Sequence, residues 1–241
     1  MSVGLDMDKQ SLRERVWDEL ETEGVARFPF PPHGRIPNFA GADEACERLT
    51  ATDAWAEADV LKCNPDAPQL PVRRAALRAG KTVYMAVPRL RDEECFLRLA
   101  PEEVPDIDEA TTVSGSSKHG VPVGPEDVEP VDLVVSGSVA VSEAGARVGK
   151  GEGYSDLEFA VLREFGLVDD ATTTATTVHE LQVVDEAFET TPQDVPMDLV
   201  VTPDRVVETD APDGKPEGVA WDRLSEERLA EIPVLKRLRD R

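Results

Sequence analysis

VLKCNPDAPQLPVRRAALRAGKTVYMAVP, residues 60–88, decides the fold. VLKC (60–63) is a short apolar run closed by Asn64, Pro65 and Asp66, and it reads as a buried strand. RRAALRAGK (73–81) reads as a helix, with Gly80 placed as the residue that ends it, and TVYMAVP (82–88) is a second strand. A strand, a helix and a strand within about thirty residues make the βαβ unit of a parallel sheet.

Outward from this unit the pattern continues. Toward the N-terminus, Leu12, Val16, Trp17 and Leu20 form one apolar stripe on a helix over 8–23, with Gly24 set to end it. The stretch 28–39 carries four prolines and excludes regular structure, and 41–58 reads as helical. Toward the C-terminus, DLVVSGSVAV (132–141) is the next strand, followed by a glycine-rich loop and a helix near 155–166. Residues 172–178, 181–184 and 198–202 add β character, and Ser225 is set to cap a helix over 225–232. Between them, 101–130 is rich in Pro, Gly, Ser and acid, without periodicity, and is expected to be a flap or a flexible insertion. No repeat or linker divides residues 1–241, so one domain is expected.

Charge narrows the function classes. Asp and Glu number 49 against 26 Lys and Arg, a net charge of −23, and lysine occurs only seven times. Such a field repels phosphate backbones and anionic lipid, which disfavours nucleic-acid and membrane-surface binding. Self-repulsion of this size is tolerable where salt screens it, the Debye length being roughly 3 Å at about 1 M. The composition therefore suggests the cytoplasm of a halophilic organism, an acidic mesophilic protein being the alternative. Cys46, Cys63 and Cys95 are odd in number and widely spaced, so reduced core thiols are expected rather than disulfides or a zinc site. The opening MSVGLDMDKQ lacks the features of a signal peptide, no apolar run is long enough to span a bilayer, and a cytoplasmic monomer is expected.

GARVGKGEGYSDLEF, residues 145–159, is the strongest local feature. It follows a buried strand and opens a helix, so its backbone N–H groups can converge on an anion at a positive helix end. Gly149, Gly151 and Gly153 alternate, which permits positive φ and close backbone approach. A Walker loop needs four residues between its glycines and a hydroxyl residue after the lysine. Here there are three, and Gly151 follows Lys150. The dinucleotide pattern G-x-G-x-x-G also fails, since this is G-x-G-x-G. A flexible turn would also satisfy the spacing.

RVGKGEGYSD (147–156) resembles the R-x-G-x-G-x-G-Y-Y-D-R loop of the 5-formyltetrahydrofolate cyclo-ligases. KQSLR (9–13) is similar to that family's K-x-x-L-R signature, Asp66 through Lys81 to its E-x-x-T…A-L-x-x-G-K segment, and DVPMDLVVTP (194–203) to its closing D-V-x-x-D strand. The resemblance implies a three-layer α/β/α sandwich on a mostly parallel sheet, with the site at the carboxyl ends of the strands. It implies ATP and Mg²⁺, with Lys9, Arg13, Arg147, Gly149, Lys150, Gly151, Glu152, Gly153 and Tyr154 around the nucleotide. Asp156 and Asp198 would hold the metal, and Leu61, Asp66 and Tyr154 would line a folate pocket. The implied reaction is cyclisation of 5-formyltetrahydrofolate to 5,10-methenyltetrahydrofolate through phosphorylation of the formyl oxygen. It asks for positioning and charge neutralisation and for no protein nucleophile.

Departures from the pattern are specific. Ser155 stands at the second tyrosine, Leu157 at the basic residue after the aspartate, Asp66 at the glutamate and Gln69 at the threonine. They leave open a non-ligating paralogue that acts on or senses another pterin-like or heterocyclic metabolite, or a nucleotide-binding regulatory module. His33, His119 and His179 are dispersed and read as structural, though His179 could hydrogen-bond in a pocket. Arg73 and Arg74 could hold a folate tail or be plain helix residues, and Asp194 and Asp198 could merely cap and flank a strand.

Overall fold

The structure, a computed structural model, describes residues 7–211 and 214–240. Its centre is an eight-stranded sheet of β1 (Val60–Cys63), β2 (Thr82–Ala86), β3 (Phe96–Leu99), β4 (Val121–Val123), β5 (Leu133–Val135), β6 (Thr173–Thr177), β7 (Leu199–Val201) and β8 (Val206–Glu208). The strand order is β8-β7-β6-β5-β1-β2-β3-β4. β7, β6, β5, β1 and β2 pair in parallel, with Leu61 opposite Leu133 and Val83. The pairings of β2 with β3, β3 with β4 and β7 with β8 are antiparallel. From β1 the chain builds β2 on one side and then crosses to build β5 on the other. The sheet therefore has its switch point between β1 and β5, and a crevice opens beyond their carboxyl ends.

Alternation along the strands makes three layers. Leu61 and Cys63 of β1, with Leu133 and Val135 of β5, pack against α2 (Ala42–Thr50) and α3 (Leu70–Arg78). Val134 and Val200 face the other way, toward α4 (Tyr154–Glu164), α5 (Glu226–Glu231) and α6 (Pro233–Arg239). Each fully buried Leu, Val or Phe on these faces contributes about 1.5–3 kcal/mol. On α1 (Lys9–Thr22), capped by the Asp8 carboxylate, the predicted stripe of Leu12, Val16, Trp17 and Leu20 is buried. It packs on a small hairpin of Ala140–Val141 with Arg147–Val148. The architecture is the expected α/β/α sandwich on a mostly parallel sheet.

Several segments differ from the sequence reading. The helix expected over 41–58 divides at Thr52, whose hydroxyl caps a separate turn, Asp53–Glu57. The strand expected over 132–141 ends at Val135, because Ser136 to Val139 turn out of the sheet before the hairpin begins. LQVV (181–184) yields a 3₁₀ turn, Glu180–Gln182, and a single bridge between Val183 and Val141. The stretch 101–130 carries helices Ile107–Ala110 and Val113–His119 and the edge strand β4. Its buried Val128 joins the core beside α4.

Other candidates resolve into structure. Arg73 is 1% exposed, and it donates to the backbone carbonyls of Asn64, Asp66 and Thr111. It thus ties the turn after β1 to the edge, while Arg74 pairs with Asp108. His33 meets Asp18, His119 meets Glu109, and His179 accepts from the Leu181 N–H to cap its turn. The three cysteines are buried and free, and burial pushes the thiols of Cys46 and Cys95 up to about 12. Among the described residues no helix is long and apolar enough to cross a membrane.

Candidate active site

A cleft of about 340 Å³ lies at the switch point. Asn64, Pro65 and Asp66 after β1, Gly137 after β5, and the loop Gly149 to Asp156 line it, with Arg89 across the mouth. Gly137 is a close-approach glycine. A Cβ there would stand 2.9 Å from Ile36 and 3.1 Å from an Asp66 carboxylate oxygen. Burial holds the Asp66 carboxyl above the ordinary carboxylate range, against the opposing pull of Lys150, Arg73 and Lys62.

The glycine loop forms the second wall. Gly151 and Gly153 have φ of 105° and 65°, and Gly153 caps α4 with no side chain of its own, leaving the first N–H groups of that helix open. Two arginines hold the loop by its carbonyls. Arg13 Nε donates to Gly149 O at 2.7 Å, and Arg228 Nη2 donates to Glu152 O. Arg147, 5% exposed, joins the two walls by donating to Gly137 O at 2.9 Å and to the Asp156 carboxylate, while its Nε has no partner. Lys150 pairs with Glu152 at 2.9 Å, and this bond holds the Glu152 carboxyl below its ordinary range. The Tyr154 ring lies under the Arg228 guanidinium, 4.6 Å from its centroid.

A second cleft of about 200 Å³ shares Gly153 and Asp156 with the first and adds Asp194, Arg223 and Arg228. Asp156 Oδ1 accepts from Arg147 and, at 3.1 Å, from the Val195 N–H. Asp194 Oδ2 accepts from Lys9 at 2.6 Å and from the Thr191 N–H at 2.8 Å. One oxygen of each carboxylate is thus engaged, and the other can take a ligand. A hard cation that keeps phosphate oxygens and water fits a site with one or two carboxylates.

Most residues named from the sequence come together here: Lys9, Arg13, Asp66, Arg147, Gly149 to Tyr154 and Asp156. Two do not. Asp198, expected beside the metal, marks the amino end of β7, where its carboxylate accepts from Lys215 at 2.7 Å and from Thr174. It lines neither cleft, whereas Asp194, four residues earlier, lines the second cleft with Asp156. Leu61, expected in the folate pocket, is wholly buried on the opposite face of β1, because the alternation that turns Lys62 toward α4 turns Leu61 away.

The sequence reading missed the floor of the first cleft. Lys62, 1% exposed, donates to Glu158 and, at 2.6 Å, to Asn64 Oδ1. The Ser155 hydroxyl lies 3.2 Å from that of Ser136 and 3.4 Å from Asn64 Oδ1. A lysine at the centre of an apolar strand was the available signal. Arg228 carried none, being far from any motif.

The α/β sandwich thus sets a glycine-capped helix at its switch point, with Asp156, Asp194, Arg147 and Arg228 around its amino end. The family model described as "5-formyltetrahydrofolate cyclo-ligase family" matches residues 6–203, and the chain belongs to that family. It is 44% identical over 240 residues to the methenyltetrahydrofolate synthase domain-containing protein of Mus musculus, covering 98% of this chain and 64% of that one. The Homo sapiens protein of the same name is 40% identical over 239 residues, covering 98% and 62%. The chain thus spans about three-fifths of the length of these relatives. The NMR structure of Aquifex aeolicus 5,10-methenyltetrahydrofolate synthetase shares the fold with a TM-score of 0.54 at 19% identity, covering 90% of this chain and all of that one.

Proposed function

We propose that this chain catalyses the ATP- and Mg²⁺-dependent cyclisation of 5-formyltetrahydrofolate to 5,10-methenyltetrahydrofolate. The observation that carries this reading is the glycine-capped amino end of α4 standing between two clefts that share Asp156. The backbone N–H groups of the loop and of α4 hold the triphosphate, with Lys9 and Arg13 at its side and Arg147 orienting Asp156. Asp156 and Asp194 hold Mg²⁺, which when bound neutralises phosphate charge. Asp66, Tyr154 and the floor of the first cleft orient the folate, so that its formyl oxygen faces the γ-phosphate.

Transfer of the γ-phosphoryl group to the formyl oxygen releases ADP. N10 then attacks the activated carbon and gives up its proton, and the former formyl oxygen leaves within inorganic phosphate as the ring closes. The protein contributes alignment and electrostatics at each step. Ser155 and Leu157 favour a second reading, a paralogue that keeps the nucleotide site but takes another pterin-like heterocycle.

Mixing the protein with 5-formyltetrahydrofolate, ATP and Mg²⁺ in molar KCl and following methenyl absorbance tests the proposal. Product formation supports the ligase. ADP formed only with a different heterocycle supports the paralogue, and nucleotide binding with no turnover supports a regulatory module.

A further inference from the structure

The strongest unassigned feature is a guanidinium held against the open end of α4. Arg228 lies on α5, in the segment beyond residue 203 where the family match ends. Around it, Arg147 is held by Gly137 O and Asp156 and Lys9 pairs with Asp194, while Arg13, like Arg228, holds a loop carbonyl. Among the described residues no carboxylate forms an ion pair with Arg228, though its charge helps to hold the Glu152 carboxyl below the ordinary range. A guanidinium carries five N–H donors. One of them goes to Glu152 O, and the ring face rests on Tyr154. Both Nη atoms stand 3.9 Å from where a Gly153 Cβ would be, at the open end of α4. The rest of the fork borders the second cleft with Asp156 and Asp194.

We infer that Arg228 is a further phosphate-contacting side chain at the nucleotide loop, supplied from the C-terminal segment rather than from the loop itself. Position 157 supplies no cation here. This position follows Asp156, where the resemblance places a basic residue, and its side chain is 8% exposed in the core. Tyr154 and Glu152 O pre-position the guanidinium, so little rotamer freedom is lost when an anion arrives. The inference rests on the nucleotide reading proposed above and assigns a residue to it.

Calorimetric titration of MgATP into the full chain, Arg228→Met and Arg228→Lys, at several KCl concentrations, tests this. Methionine keeps much of the packing on Tyr154 without the charge or the donors. The expected result is an affinity about tenfold to a hundredfold lower in Arg228→Met, the range for a charge-assisted hydrogen bond. Its dependence on KCl flattens, melting stays near that of the parent, and Arg228→Lys recovers part of the loss. Equal MgATP affinity in the parent and Arg228→Met overturns the inference and leaves the nucleotide reading standing. A loss with unchanged salt dependence and no recovery in Arg228→Lys overturns it as well, since that is the mark of a packing role. A parent that binds no MgATP removes the nucleotide reading, and this inference with it.

Discussion

The Lys62 ammonium, carried at the centre of β1, is held by the Glu158 carboxylate one turn into α4, and both are almost wholly buried. This pair joins the switch-point strand to the helix whose amino end the glycine loop caps. Two charges taken out of water cost several kcal/mol each, and they persist because each satisfies the other and Asn64 takes a further Lys62 donor. The pair therefore sets the distance between the sheet and the loop.

Breaking it is costly. Lys62→Met leaves Glu158 buried and unpaired and is expected to lower stability by about 3–5 kcal/mol, while Lys62→Met/Glu158→Leu together should recover most of the loss. Denaturant unfolding of the single and double variants at fixed salt measures both.

The two aspartates of DVPMD separate by direction of the chain. Asp194→Asn is expected to raise the Mg²⁺ concentration needed for nucleotide binding, because Asp194 borders the cleft with Asp156. Asp198→Asn should leave the Mg²⁺ requirement unchanged and lower the melting temperature through lost pairing with Lys215 and Thr174. Mg²⁺ titrations at constant ATP, beside melting curves, distinguish them.

Much of this was legible in the sequence and some was not. β1, α3 and β2 follow from period and punctuation in residues 60–88, since a buried parallel strand is a continuous apolar run. The break after Val135 was hidden because Ser136-Gly137-Ser138 lies between two apolar pairs and only tertiary packing turns it out of the sheet. Asp194 and Asp198 share one short motif, and although the strand after Asp198 was readable, residue types alone do not say which aspartate borders a cleft. Arg228 reaches the loop through space from a helix with no motif, so no spacing could have found it.

Backbone rather than side chain should carry the loop. Lys150→Ala removes an ammonium that pairs with Glu152, and MgATP affinity is expected to fall by less than about threefold. Gly151→Val places a β-branched residue at a φ of 105°, and the expected loss is tenfold or more. Equal losses in the two variants would contradict this.

Asp66 trades stability for binding. Its carboxyl is raised from 3.8 by burial, so the folded chain binds that proton more tightly than the unfolded one. The stabilising contribution of the protonated form is complete below pH 3.8 and is lost as pH rises through the raised value. Asp66→Asn should therefore melt higher than the parent at pH 7, by a margin that shrinks toward pH 4, and should bind folate more weakly. Melting curves across that range, with folate titrations at pH 7, check both halves.

The charge of −23 should make stability salt-dependent. Melting temperature is expected to rise with KCl into the molar range as self-repulsion is screened. A flat response would remove the proposal of a salt-loving source.

A crystal structure grown with 5-formyltetrahydrofolate, Mg²⁺ and a non-hydrolysable ATP analogue tests the central claim most directly. The predicted result is a triphosphate on the main-chain amides of Gly149 to Gly153, a metal between Asp156 and Asp194, and the pteridine over Asp66 and Tyr154. A loop without phosphate, or a metal carried by Asp198, would contradict it.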